Sequence, residues 1–188
     1  MRVLKIGICA VALLAGCVTG RADHFYELQT QPAGSRQSRS QFDRQVTLRV
    51  TVASMLDRNE MVLTTRNGVT VLDHERWAAP LADLITTTLG QDVEARRVDA
   101  VVLPKSADKS GIPLIRMAID IDRLDARLGE PLRMEVHWRV TDASTGRQSL
   151  GRDTLVSQRQ PQSYDEIAAA LSECVAQLAD RLVSEIPT

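Results

Sequence analysis

Between Val46 and Val52 the chain alternates strictly, with Val46, Leu48, Val50 and Val52 on one side and Thr47, Arg49 and Thr51 on the other. A period of two predicts a half-buried strand. Met61 to Arg66 and Val69 to Leu72 flank Asn67-Gly68, the dipeptide that most readily takes the two positive φ angles of a type I′ turn, and so predict a β-hairpin. The period then lengthens. Trp77, Leu81, Leu84, Ile85 and Leu89 recur at helical spacing, Pro80 suits a first turn and Gly90 suits a C-terminal cap, so one helix is expected over about 78–90. Asp92 to Leu103, Leu114 to Leu124, Leu132 to Asp142 and Ser149 to Gln158 predict four further strands. Their turns fall at Pro104 to Pro113, Gly129 to Pro131 and Ser144 to Gly146. Ser163-Tyr164-Asp165-Glu166 is a capping box, in which the serine accepts from the Glu166 N–H and the glutamate reaches back to the serine N–H. The helix it opens, about 164–186, carries Ile167, Leu171, Cys174, Val175, Leu178 and Leu182 on one stripe. Near the start, Phe25 to Leu28 predicts a short first strand, and Gln29 to Gln45, without apolar periodicity, a flexible loop or linker. The expected fold is α+β: a mainly antiparallel β-sheet covered on one face by the two helices. Parallel pairing of some strands stays open, because a helix separates the fourth strand from the fifth.

The first residues follow a different pattern. Arg2 and Lys5 precede an apolar run, Ile6 to Leu14, closed by Ala15-Gly16-Cys17. A basic start, a short apolar stretch and small residues before a cleavage point form a targeting segment outside the fold. The rival readings are an ordinary secretory signal followed by a coincidental cysteine and a membrane-spanning anchor, and spanning needs about 20 apolar residues where this run has about nine. The segment resembles a bacterial lipoprotein precursor. That resemblance implies removal of residues 1–16 and a diacylglyceryl thioether and N-acyl chain on Cys17, its only lipid or cofactor. It also implies a tether over 17–24 and one domain over 25–188. Two or more acyl chains hold a protein on a membrane effectively permanently. In such lipoproteins an aspartate after the cysteine favours the inner membrane; Val18 stands there, which points to the periplasmic face of the outer membrane.

Loss of Arg2 and Lys5 with the signal moves the formal net charge from −1 to −3 and leaves 172 of the 188 residues. That length suits a single domain with a sufficient core and no disulfides. Of three cysteines only Cys174 remains free, on an apolar helix stripe where a thiol serves as a small buried hydrophobe. A mildly acidic chain whose densest basic pair is Arg96-Arg97 argues against nucleic acid as a partner, which demands a basic patch. Asp120 and Asp122 share a strand face, but Arg116 and Ala118 share it too and no histidine is near in sequence, so a solvated face outweighs a metal pair. His24, His74 and His137 lack zinc spacing, and no nucleophile elbow or phosphate loop occurs. The expectation is a protein that is not an enzyme, with no catalytic, metal or cofactor residues.

Three stretches point further: Tyr26-Glu27-Leu28; Val50-Thr51-Val52 through Leu56-Asp57-Arg58 to Met61-Val62-Leu63; and Arg76-Trp77-Ala78-Ala79-Pro80-Leu81. With Cys17 they make the chain similar to the ABC-type transport auxiliary lipoproteins. Members often place prolines around the leucine-aspartate-arginine turn, where this chain has Ser54-Met55 before and Asn59-Glu60 after. The resemblance implies an accessory subunit of an intermembrane lipid-transport system. Its partner would be a periplasm-spanning MCE-domain protein, docked at the outer membrane, and a homo-oligomeric ring would match the conduit's symmetry. Tyr26, Leu56, Asp57, Arg58, Arg76 and Trp77 are the candidate interface. The alternatives are a lipid-binding carrier with a pocket between sheet and helices, or a periplasmic enzyme. Leu56 to Arg58 also reads as a plain turn with an ion pair, Trp77 as a core anchor under the helix start, and Arg76 as a partner of Asp73 or Glu75.

Overall fold

A computed structural model of the chain describes residues 21–31, 42–103 and 114–186. Cys17 with the signal segment, most of the expected linker and the Pro104 to Pro113 turn lie outside the described residues. The order is β1 (His24–Tyr26), β2 (Arg44–Val52), β3 (Glu60–Thr65), β4 (Gly68–Trp77), α1 (Leu81–Arg96), β5 (Ala100–Leu103), β6 (Leu114–Asp125), β7 (Arg133–Asp142), β8 (Gln148–Val156) and α2 (Tyr164–Glu185). The α+β class is as expected, but the strands divide into two sheets, β1-β4-β3 and β5-β2-β6-β7-β8. Both are mixed. The β1-β4, β2-β5 and β2-β6 pairs are parallel, and β3-β4, β6-β7 and β7-β8 antiparallel.

The core follows the alternation. Val46, Leu48 and Val50 of β2, Met117, Ile119 and Ile121 of β6, and Met134, Val136 and Trp138 of β7 face the helices. α1 lies over β2 and β5, and α2 over β7 and β8, the two helices side by side. Every member of the α2 stripe from Ile167 to Leu182, Cys174 included, is fully buried. Burial pushes the Cys174 thiol up to about 12.

Four local expectations are corrected. The hairpin forms, but Gly68 pairs with Thr65 as the first residue of β4, so Arg66 and Asn67 make the turn, without the positive φ angles of type I′. The first helix runs on to Arg96 because Gly90 is an interior residue, not a cap. A Cβ there would meet Val102 Cγ1 at 3.3 Å and Leu48 Cδ1 at 3.5 Å, so its bareness lets the helix sit close on the sheet. Consequently Asp92 to Arg96 is helix and only Ala100–Leu103 is strand; Ile85, Leu89 and Val93, spaced by four and all buried, are the signal that extends it. The start of the expected linker is fastened instead of loose. The Gln29 N–H donates to Ser172 Oγ at 3.1 Å, the Thr30 hydroxyl to Gln91 at 2.6 Å and the Gln31 N–H to the buried Asp92 carboxylate at 3.0 Å, while Arg44 and Gln45 already belong to β2.

Both ends of α2 are closed by side chains. Ser163 accepts from the Glu166 N–H at 3.3 Å, but the glutamate returns to the N–H of Gln162, one residue earlier than a capping box requires. Arg97 grips Asp99 with two bonds of 2.8 Å and donates to the Ile186 carbonyl at 3.1 Å. A cation at the carbonyl end of α2 complements its dipole. The basic pair noted in the sequence is therefore spent on internal contacts, since Arg96 pairs with Asp92 and Asp180.

Candidate functional site

β1 has only three residues and no alternation to define it, and it is held by its neighbour. Running parallel to β4, it sets His24 beside Glu75, Phe25 beside Arg76 and Tyr26 beside Trp77. On the inward face the Tyr26 hydroxyl donates to Glu75 Oε2 at 2.6 Å and His24 Nδ1 lies 3.1 Å from the same oxygen. The tyrosine bond, then the histidine, holds the Glu75 carboxyl below its ordinary range although burial opposes it, while burial and the glutamate push the Tyr26 phenol up. On the outward face the Asp23 carboxylate accepts from His74 at 3.0 Å and from Arg76 Nε at 2.9 Å, and Arg76 Nη1 donates to Glu60 at 2.9 Å. The expected Asp73 or Glu75 ion pair is not what Arg76 makes. Side chains alternate along β4, which turns Glu75 to the opposite face, and Asp73 contributes only its main-chain oxygen at 3.3 Å.

This clasp joins the leucine-aspartate-arginine turn. The Leu56 N–H donates to the Ala53 carbonyl at 2.7 Å and the Arg58 N–H to the Leu56 carbonyl at 2.9 Å; the Trp77 N–H then closes on the Asn59 carbonyl at 2.6 Å. Three segments far apart in sequence thus meet: Asp23 to Tyr26, Leu56 to Glu60, and Arg76 with Trp77. The six candidate interface residues divide by depth. Leu56 at 5% and Trp77 at 3% exposure are core side chains, which removes them as direct contacts: the leucine plugs the turn, and the tryptophan closes β4 instead of opening a helix. Tyr26, Arg58 and Arg76 are half-buried and Asp57 is exposed. Arg58 Nε is buried without a hydrogen-bond partner among the described residues. Phe25, 64% exposed, extends the patch toward a groove of about 470 Å³ bounded by Tyr26, Gln29, Asp165 and Ala168. Nothing local in the sequence marks Asp23 or Glu60, whose partner Arg76 lies 53 and 16 positions away, or Phe25, which only the strand pairing sets beside Arg76.

The strand-face aspartates find a histidine after all. β7 sets His137 opposite Asp120, with its Nε2 3.4 Å from Asp120 and its Nδ1 2.9 Å from Asp122. The carboxylates address opposite ring nitrogens, so the three cannot converge on one ion; among the described residues no group of three such side chains is placed to hold a metal. The space between the five-stranded sheet and the helices, where a carrier would seat lipid, is packed with Ile119, Met134, Leu171 and Leu178.

Among solved structures, an uncharacterized protein is 18% identical with a TM-score of 0.72, over 89% of this chain and all of that one. Protein XCC0632 of family DUF330 from Xanthomonas campestris is 16% identical with a TM-score of 0.62, over 86% of this chain and 92% of that one. At these identities the likeness is one of fold. The PelC dodecamer from Paraburkholderia phytofirmans is 10% identical, with a TM-score of 0.39 over 77% of this chain and 91% of that one, too loose a match to speak for assembly. No curated protein matches significantly. The family model described as ABC-type transport auxiliary lipoprotein component matches residues 26–183, from β1 to the last turns of α2.

Proposed function

Because this chain belongs to the family of ABC-type transport auxiliary lipoprotein components, we propose that it is a non-catalytic docking subunit. In this reading it is lipidated at Cys17, stands at the periplasmic face of the outer membrane, and receives an MCE-domain protein that spans the periplasm. The family makes it a membrane-associated accessory of a transporter; the partner and the membrane are our inference. One observation carries it. The residues behind the family resemblance, separate in sequence, meet at the turn that carries Arg58, whose Nε is buried without a hydrogen-bond partner among the described residues. A buried donor left unpaired costs about 1–3 kcal/mol, and a partner acceptor reached through the patch offsets that cost. Loops fixed on a rigid scaffold are where binding residues concentrate. The patch adjoins the strand that follows the tether, so the lipid anchor holds it at the membrane and raises the effective concentration of the contact.

The test uses variants that act on different parts of the account. Cys17→Ala is expected to release the protein from the outer-membrane fraction. Arg58→Ala with Asp57→Ala is expected to reduce capture of the MCE-domain protein while far-UV circular dichroism stays unchanged; undiminished capture by that double variant would sink the docking surface. Trp77→Ala, by contrast, acts through the core and is expected to destabilise by about 3–5 kcal/mol. Ring formation, inferred from symmetry matching, belongs to the same proposal and is contradicted if light scattering shows only monomer at high concentration.

A further inference from the structure

The formal net charge of −1 conceals an uneven surface. Since Leu48, Met117, Trp138 and Val140 point to the helices, alternation sends Thr47, Arg49, Arg116, Ala118, Arg139 and Thr141 to the open face of the five-stranded sheet. Register brings them together. Arg49 of β2 stands opposite Ala118 of β6, and Ala118 opposite Arg139 of β7. At ordinary strand spacing the two arginine Cα atoms are about 10 Å apart with only a methyl group between them. Arg116 lies two residues along β6, about 7 Å from that alanine, in a row with Thr47 and Thr141. The small residue leaves a notch of about 310 Å³, with Leu48, Met117 and Ala118 also lining it.

Arg49 and Arg139 have no carboxylate partner among the described residues. Asp120, two positions beyond Ala118, is engaged by the Thr51 hydroxyl and by His137. Like charges gathered around one notch repel, and an anion with several acceptor oxygens relieves that repulsion while pairing with guanidinium forks. The apolar surroundings narrow the choice of anion. Leu150, opposite Arg139 on β8, is 70% exposed beside the notch, which an inorganic phosphate would not use and the glycerol ester shoulder of a lipid would.

We propose that this notch binds the headgroup of an anionic glycerophospholipid, the phosphate held by Arg49 and Arg139 and the glycerol esters lying toward Leu150. A headgroup that also carries a quaternary ammonium is disfavoured by the same arginines. The notch is separate from the Arg58 patch, so the inference goes beyond the docking reading and fails independently of it.

The test is calorimetric titration of the full chain carrying Cys17→Ala, so that its own acyl chains take no part. The probes are short-chain dihexanoyl phosphatidylglycerol, dihexanoyl phosphatidylcholine and inorganic phosphate, each kept below any aggregation threshold. Saturable binding is expected for phosphatidylglycerol alone, weakened about tenfold or more in Arg49→Gln with Arg139→Gln, as loss of charge-assisted bonds implies, and unchanged in Arg58→Ala. Absence of phosphatidylglycerol binding overturns the proposal, as does equal binding of phosphatidylcholine, inorganic phosphate binding as tightly, or an arginine double variant that binds like the parent.

Discussion

Trp138 of β7 and Gly151 of β8 stand opposite each other, and the indole occupies the space a side chain at 151 would need. A Cβ there would come within 2.2 Å of two ring atoms. Gly151→Ala is therefore expected to dislodge a buried tryptophan and lower stability by about 1–3 kcal/mol, as overpacked cores do. Chemical denaturation would show a lower midpoint; an unchanged midpoint would mean that the ring moves without cost. In the β7-β8 turn the Asp142 carboxylate accepts from the Ser144 hydroxyl at 2.5 Å and from its N–H at 2.8 Å, while Gly146 supplies a φ of +72°. Those bonds hold the Asp142 carboxyl down at about 2, from an ordinary 3.8. A lowered folded-state value means stability that is present above 3.8 and lost as pH falls through about 2. Asp142→Asn keeps an acceptor oxygen but cannot titrate, so melting temperature against pH should be shallower in the variant over that window. Parallel curves would remove Asp142 from the account.

At the scale of elements, the clasp on β1 is the feature to test. Arg76→Met cuts the links to Asp23 and Glu60 together, and amide hydrogen exchange should quicken at His24 to Tyr26 while β6 and β7 keep their protection; equal protection of β1 would show that main-chain pairing suffices. Elements differ in how plainly the sequence announces them. β2, β6, β7 and α2 bury one face each, so a period of two or of 3.6 stands out and their positions are legible. β1 and β5 have three and four residues, too few to show a period, and owe their state to parallel neighbours. α1 misleads because Gly90, which resembles a terminator, instead meets the need for close packing against Leu48 and Val102. The candidate site was legible only in part for a related reason. Leu56 to Arg58 and Trp77 are conspicuous as residues, whereas sequence alone does not say which of them face inward, and the parallel register that brings Tyr26 to Trp77 has no local cue.

For the whole molecule, the two proposed surfaces occupy different parts of the fold. The patch around Arg58 sits where β1, β4 and the turn after β2 meet, and the arginine notch lies on the open face of the larger sheet. Helices and sheet enclose a filled core, so both proposed surfaces lie on its outside. The most direct measurement is purification of the lipidated protein from its own membranes in mild detergent, with mass spectrometry of whatever accompanies it, for the parent and for Arg58→Ala with Asp57→Ala. Docking predicts an MCE-domain protein at a fixed ratio with the parent and its loss from the double variant. Recovery of the parent without such a protein, or equal recovery with both, would contradict docking as its function.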